Sequence, residues 1–146
     1  MNRVEEAKAI FRSGFNCSQA VLSSLSEDIG IDKELALKIA SGFGAGMGRL
    51  QNTCGAVAGA FMVISYLNGQ YRIDDKESSE KTYQLIRNFA KDFEEINGSI
   101  NCLSLMDCDL QTENGIKTAI ENNYFETKCV KYVEDAVKLI QSKYLK

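Results

Sequence analysis

The sequence predicts an all-α fold, a single-domain helical bundle built around a small-residue helix. Apolar residues recur at three- and four-residue steps in five segments. No stretch shows a convincing alternation of apolar and polar residues, the mark of a half-buried strand. Proline is absent, so no helix is broken by that route. The 146 residues, 45% hydrophobic and 25% charged, match one domain over 1–146 with a core of useful size.

The elements follow in order. Residues 2–13 predict a short helix with Val4, Ala7 and Phe11 along one side, ended by Gly14. Asn16 is a good N-cap for the next helix, which carries Cys17, Val21 and Leu25 at four-residue spacing and closes at Gly30. Asp32 caps a third helix with Leu35 and Ile39 inward. Residues 42–49, GFGAGMGR, hold four of the eleven glycines and predict a loop. Asn52 or Thr53 caps a fourth helix whose inward set is Cys54, Val57, Phe61 and Ile64, and Asn68-Gly69 ends it. Asp74 and Asp75 open a long helix to about Ile96, with Tyr83, Ile86, Phe89, Ala90, Phe93 and Ile96 as its stripe. Ser99 is placed to cap a short helix holding Cys102 and Leu105. Residues 111–125 fit a polar helix or a loop. The last helix, 126–144, buries Cys129, Val133, Ala136, Val137 and Ile140.

Composition narrows the function classes. The net charge is −3 with no basic block, which argues against a nucleic-acid partner. The N-terminal segment has no apolar signal region, and residues 54–67 are too few to cross a bilayer, so the expected location is cytoplasmic with no membrane partner. In that compartment thiols stay reduced, and cysteines serve metal binding, catalysis or redox switching when they serve anything.

The chain has no histidine, and so lacks the commonest general base and nitrogen ligand. Sulfur is the leading candidate for chemistry. Cys17, Cys54, Cys102 and Cys129 each fall at or near a predicted helix start, on the apolar side, where unpaired N–H groups favour a thiolate. Burial opposes this and is comparable in size. Cys108 follows between Asp107 and Asp109, carboxylates better suited to solvation or capping than to ligation. Buried cysteine alone often packs as a small hydrophobe, and no C-x-x-C occurs, so spacing gives no direct metal signature.

In CGAVAGA, Gly55 and Gly59 stand one turn apart and create a small surface. Glycine inside a helix costs up to ~1 kcal/mol against alanine, so two of them imply required closeness. Two readings stand: tight helix packing, or room beside the Cys54 sulfur for another sulfur or a cofactor. The glycine-rich 42–49 segment fails the phosphate-loop patterns and reads as a sharp turn into the Cys54 helix.

The segments GFNCSQAVL, GFGAGMGRLQNTCGAVAGA, NGSINC and the Cys129 helix together resemble the C_GCAxxG_C_C family of small bacterial and archaeal proteins. That order of elements spans almost the whole chain. The family name spells GCAxxG, where this chain has CGAVAG. The resemblance implies that Cys17, Cys54, Cys102 and Cys129 are the signature cysteines and that Cys108 is an extra. It implies redox or metal chemistry without naming a reaction, because the family's activity is itself a proposal built on these cysteines.

The expected function is therefore cysteine-based redox activity, by thiol–disulfide exchange or electron transfer, with an oxidoreductase in view and the redox partner unidentified. Cys17, Cys54, Cys102 and Cys129 are the candidate catalytic residues and equally the candidate metal ligands, for an iron–sulfur cluster or zinc. Gly55 and Gly59 are the candidate cofactor-binding positions. A helical scaffold with merely packed cysteines is the third reading. The small-residue helix is compatible with a homodimer.

Overall fold

The structure, a computed structural model, describes residues 2–145, and residues 1 and 146 of the expected domain lie outside it. The chain is all-α. Its helices are α1 (Arg3–Arg12), α2 (Cys17–Ile29), α3 (Lys33–Ala40), the single turn α4 (Gly44–Met47), α5 (Gly55–Asn68), α6 (Lys76–Asn97), α7 (Cys102–Met106), α8 (Glu113–Glu121) and α9 (Val130–Leu139). Among the described residues the one extended pairing is an isolated antiparallel bridge between Thr53 and Asn101.

Local chemistry sets most of the boundaries. Asn2, Asn16, Asp32, Asp75, Asn101 and Thr112 each accept a backbone N–H in the first turn of the helix they precede. Asn16 and Gln19 complete a reciprocal capping box on α2. Gly30 and Gly98 end α2 and α6 in the left-handed conformation that glycine adopts without strain. Two expected caps differ. Ser99 instead accepts the N–H of Asn101, which does the capping of α7. The N-cap of α5 is Cys54, with neither Asn52 nor Thr53 in that role.

The centre is the closely packed pair α2 and α5, with α1, α3 and α9 packed on α2 and α6 and α9 on α5. The glycines make this pair close. A methyl on Gly59 would meet the Ser18 carbonyl at 2.8 Å and the Val21 Cβ at 3.1 Å. Gly59, expected with Gly55 to leave room at the site, is thus occupied with helix packing against α2. The core continues through Phe89 and Phe93 of α6 and Val133, Ala136 and Val137 of α9. These rings stack on one another, and Tyr132 and Tyr144 meet them edge-on.

Several residues expected inward are exposed. On α3, Leu35 and Ile39 face out and Ala36 and Ala40 face in, because the side of the helix that packs inward is the one carrying its alanines. On α6, Tyr83 and Ile96 are exposed while Phe89 and Phe93 are fully buried, since the helix is longer than the core it covers. The ambiguous 111–125 stretch contains α8.

The 42–49 segment is not an ordinary loop. Ala45, Gly46, Met47, Gly48 and Arg49 all have positive φ, and so does Gln51. Ala45 (53°, 41°), Gly46 (67°, 47°) and Gly48 (59°, 36°) trace a left-handed turn, closed by a bond from the Gly48 N–H to the Gly44 carbonyl. Left-handed conformation costs a non-glycine residue roughly 1–2 kcal/mol. Ala45, Met47, Arg49 and Gln51 carry that cost, and further bonds from Gln51 to Ala45 and from Asn52 to Gly46 hold the turn.

Candidate functional site

The left-handed turn delivers the chain to a point where two cysteine segments lie side by side. The Cys54 N–H donates to the Ile100 carbonyl at 2.7 Å and the Cys102 N–H to the Asn52 carbonyl at 2.6 Å. Cys54 and Cys102 are thereby fixed as neighbours across the Thr53–Asn101 bridge. Cys17 arrives from α2. A methyl on Gly55 would overlap the Cys17 sulfur, so the space over Gly55 is filled by that sulfur. Cys129 arrives from a π turn, Phe125–Cys129, that runs directly into α9. The wider turn shifts the register, and Phe125, Cys129 and Tyr132 all line the same space.

That space is a cavity of about 240 Å³. Cys17, Cys54, Cys102 and Cys129 line it together with the thioether-bearing Met106. The Cys129 sulfur lies 3.5 Å from the Met106 sulfur. The rest of the wall is mostly apolar, no carboxylate among the described residues contributes to it, and the exposed Arg49 also lines it. All five cysteines are free thiols. Cys108 is absent from the wall but packs beside Cys102, Met106 and Cys129 in an adjoining cluster.

The protonation of these thiols is decided by burial. The N–H groups of Cys17, Ser18, Ala45 and Ala56 favour a Cys17 thiolate, and those of Ala56 and Val57 favour a Cys54 thiolate, as helix starts should. Desolvation outweighs them, and both thiols are pushed up from the ordinary value. Cys129 has no such donors, because the π turn puts it inside a continuous helical run instead of at a helix start; burial and the other cysteines raise it strongly. Cys102 is pushed up to about 11 by burial, opposed by the Gln51 amide. The activation expected from helix starts is therefore present as geometry and overridden in sum.

These shifts predict a pH dependence. A thiol whose folded pKa exceeds its unfolded value stabilises the fold below the unfolded pKa, and that contribution is lost as pH rises through the folded one. For Cys102 the window runs from the ordinary 9.0 to about 11. The melting temperature should fall by several degrees across it, and less steeply in Cys102→Ala, where the other four cysteines, Tyr132 and Tyr144, all raised as well, still titrate. Equal slopes in the two proteins would contradict the assignment.

Gln51 is the site residue that the sequence did not point to. It is buried and left-handed at φ 56°. Its amide oxygen accepts the Leu110 N–H at 2.7 Å, and its amide nitrogen donates to the Cys108 carbonyl at 2.9 Å while lying 3.9 Å from the Cys102 sulfur. One side chain thus ties the 108–110 loop to the cavity wall. The available signal was its place three residues before Cys54, which is compatible with any loop. Gln51→Leu leaves the buried Leu110 N–H and the part-buried Cys108 carbonyl unpaired, and at ~1–3 kcal/mol for each orphaned group the expected loss in denaturant unfolding is about 2–6 kcal/mol, toward the lower end for the part-buried carbonyl.

A family model described as "Putative redox-active protein (C_GCAxxG_C_C)" matches residues 15–143. The chain belongs to this family. The matched span includes every cysteine and both glycines of the CGAVAG segment. The family description thus joins a redox label to a fold whose cysteines are largely buried. No curated protein and no solved structure matches the chain. Among the described residues no helix is long and apolar enough to cross a membrane.

Proposed function

We propose that the protein stores and passes on electron pairs by reversible oxidation of cavity cysteines. The observation that carries this reading is that four thiols, brought by four separate segments, line one mostly apolar cavity. Inert packing gives no reason for four sulfurs to share one space.

Cys17 and Cys54 are the favoured couple. Cys17 sits over Gly55, next in the chain to Cys54, and both thiols face backbone N–H donors. Oxidation joins the two sulfurs and releases two protons and two electrons to an acceptor, a partner disulfide in the exchange reaction. Reduction by an incoming dithiol reverses it, and the N–H groups of Ser18, Ala45, Ala56 and Val57 stabilise whichever sulfur leaves as thiolate. Burial keeps the resting thiols protonated. Both Cys17 and Cys54 are pushed up from the ordinary thiol value by burial. The couple is thereby held inert until a partner engages it.

A resident metal is less well supported by the arrangement. Among the described residues no group of three or more Cys, Asp or Glu side chains is placed to hold a metal ion. A tetrahedral zinc or a four-cysteine iron–sulfur cluster needs that convergence, so no step is assigned to either.

The test is equilibration of the purified protein, handled anaerobically, in dithiol/disulfide buffers of stepped potential, with alkylation and mass spectrometry to count thiols. The expected result is loss and recovery of two thiols, mapped to Cys17 and Cys54, with metal content far below one per chain. Stoichiometric iron or zinc would sink the thiol-exchange reading in favour of the metal one. Absence of both metal and reversible oxidation would favour a packed scaffold.

A further inference from the structure

Cys108 stands outside the cavity wall, yet the fold spends several contacts on holding it there. Its backbone is fixed by the buried Gln51 amide, the same amide that approaches the Cys102 sulfur. Its side chain packs in the cluster that contains Cys102, Met106 and Cys129. Cys108 and Cys129 are both half-buried, whereas Cys17, Cys54 and Cys102 are at most 8% exposed. Of the half-buried pair it is Cys129 that lines the cavity and whose thiol burial raises strongly. A reagent from solution therefore reaches Cys108 before it reaches the buried set.

We infer that Cys108 is the entry thiol of the redox site, exchanging with an external disulfide and passing the oxidation to Cys102. This rests on the redox reading of the cavity and adds to it the route by which a large partner reaches buried sulfurs.

The step balances as two successive exchanges. The Cys108 thiolate attacks one sulfur of an external disulfide, forming a mixed disulfide and releasing the first external thiolate. The Cys102 thiolate then attacks the Cys108 sulfur, forming the Cys102–Cys108 bond and releasing the second. Two electrons pass from the two cysteines to the external disulfide, and the two protons that the cysteines lose are taken up by the released thiolates. Attack on Cys102 by a further cavity thiol moves the disulfide inward and returns Cys108 to the thiol.

Burial, with Asp107 and Asp109, pushes the Cys108 thiol up from the ordinary value, and Lys128, the cation facing it, opposes this. Lys128 is itself anchored, donating to the Met106 carbonyl at 3.1 Å and lying 4.1 Å from the centre of the Tyr124 ring. The short α7 joins the two thiols, so that Cys102 opens it and Cys108 lies just past its left-handed end at Asp107.

The test uses the full chain with glutathione disulfide as the probe. In Cys108→Ser, oxidation of the cavity thiols should slow by at least roughly tenfold, with the equilibrium midpoint of the buried couple unchanged. In Cys102→Ser, which removes the second exchange, a mixed disulfide should accumulate and map to Cys108. An unchanged rate in the first variant, or glutathione mapped to another cysteine in the second, overturns the entry role and leaves the redox reading intact. If the wild-type protein never oxidises reversibly, the redox reading fails and the entry role fails with it.

Discussion

Gly55→Ala should destabilise the protein by about 2 kcal/mol and impair reversible oxidation. The added methyl would overlap the Cys17 sulfur, and it would stand 2.9 Å from the Phe43 carbonyl oxygen and 3.2 Å from the Gly44 Cα. Two of these three neighbours are backbone and cannot rotate away. Overpacking of this kind costs typically ~1–3 kcal/mol, occasionally more. Alanine's better helix propensity returns at most ~1 kcal/mol, and less at the first helical position, so the clash wins. The relief available is displacement of Cys17, which links the stability loss to the chemistry. Gly42→Ala is the control. Nothing lies within 4 Å of its added methyl, and it should change stability by no more than ~0.5 kcal/mol. Equal unfolding midpoints for both variants would show that α2 and the left-handed turn do not press on Gly55.

Cys54→Ser should abolish reversible oxidation of the Cys17 couple while leaving the fold intact or slightly more stable. A hydroxyl buried without a partner would cost ~1–3 kcal/mol. The structure offers it partners. Cys54 occupies the N-cap of α5, where its sulfur makes no capping hydrogen bond although the N–H groups of Ala56 and Val57 face it. Serine is among the best N-caps and is worth roughly 1 kcal/mol at such a position. A residue chosen for stability alone would be serine, and its replacement by a poorer cap fits a role for sulfur itself. The measurement is a pair of curves on one variant, thermal unfolding and dithiol/disulfide titration. Retained two-thiol oxidation at Cys17, or a large loss of stability, would contradict the reading.

The two variants also separate the elements that were legible in the sequence from those that were not. α2 was legible because its cap, its stripe and its stop are local: Asn16, the Cys17–Val21–Leu25 spacing and Gly30 lie within one segment. The long α6, opened by Asp75 and stopped at Gly98, was legible for the same reason. The start of α5 was missed because Asn52 and Thr53 are better caps than cysteine, while the Thr53–Asn101 bridge and the bond from the Cys102 N–H to the Asn52 carbonyl engage both residues with the Cys102 segment. Leu35, Ile39, Tyr83 and Ile96 were misplaced because a stripe gives the apolar side of a helix and not how much of that side a neighbour covers.

The sequence by itself determined the helices, their apolar faces and the dependence of any chemistry on sulfur, because capping, periodicity and the lack of histidine need no tertiary contact. Its CGAVAG segment and ordered cysteines also carried the family, which the match over residues 15–143 shows. Only the tertiary structure decided that the Cys17 sulfur fills the space over Gly55, that Gln51 binds the Cys108 loop to the cavity wall, and that burial overrides the helix starts in setting the thiol pKa values. Each of these depends on segments far apart in the chain meeting at one place. The energies that follow, desolvation and steric overlap, are properties of that meeting and have no local signature in the chain.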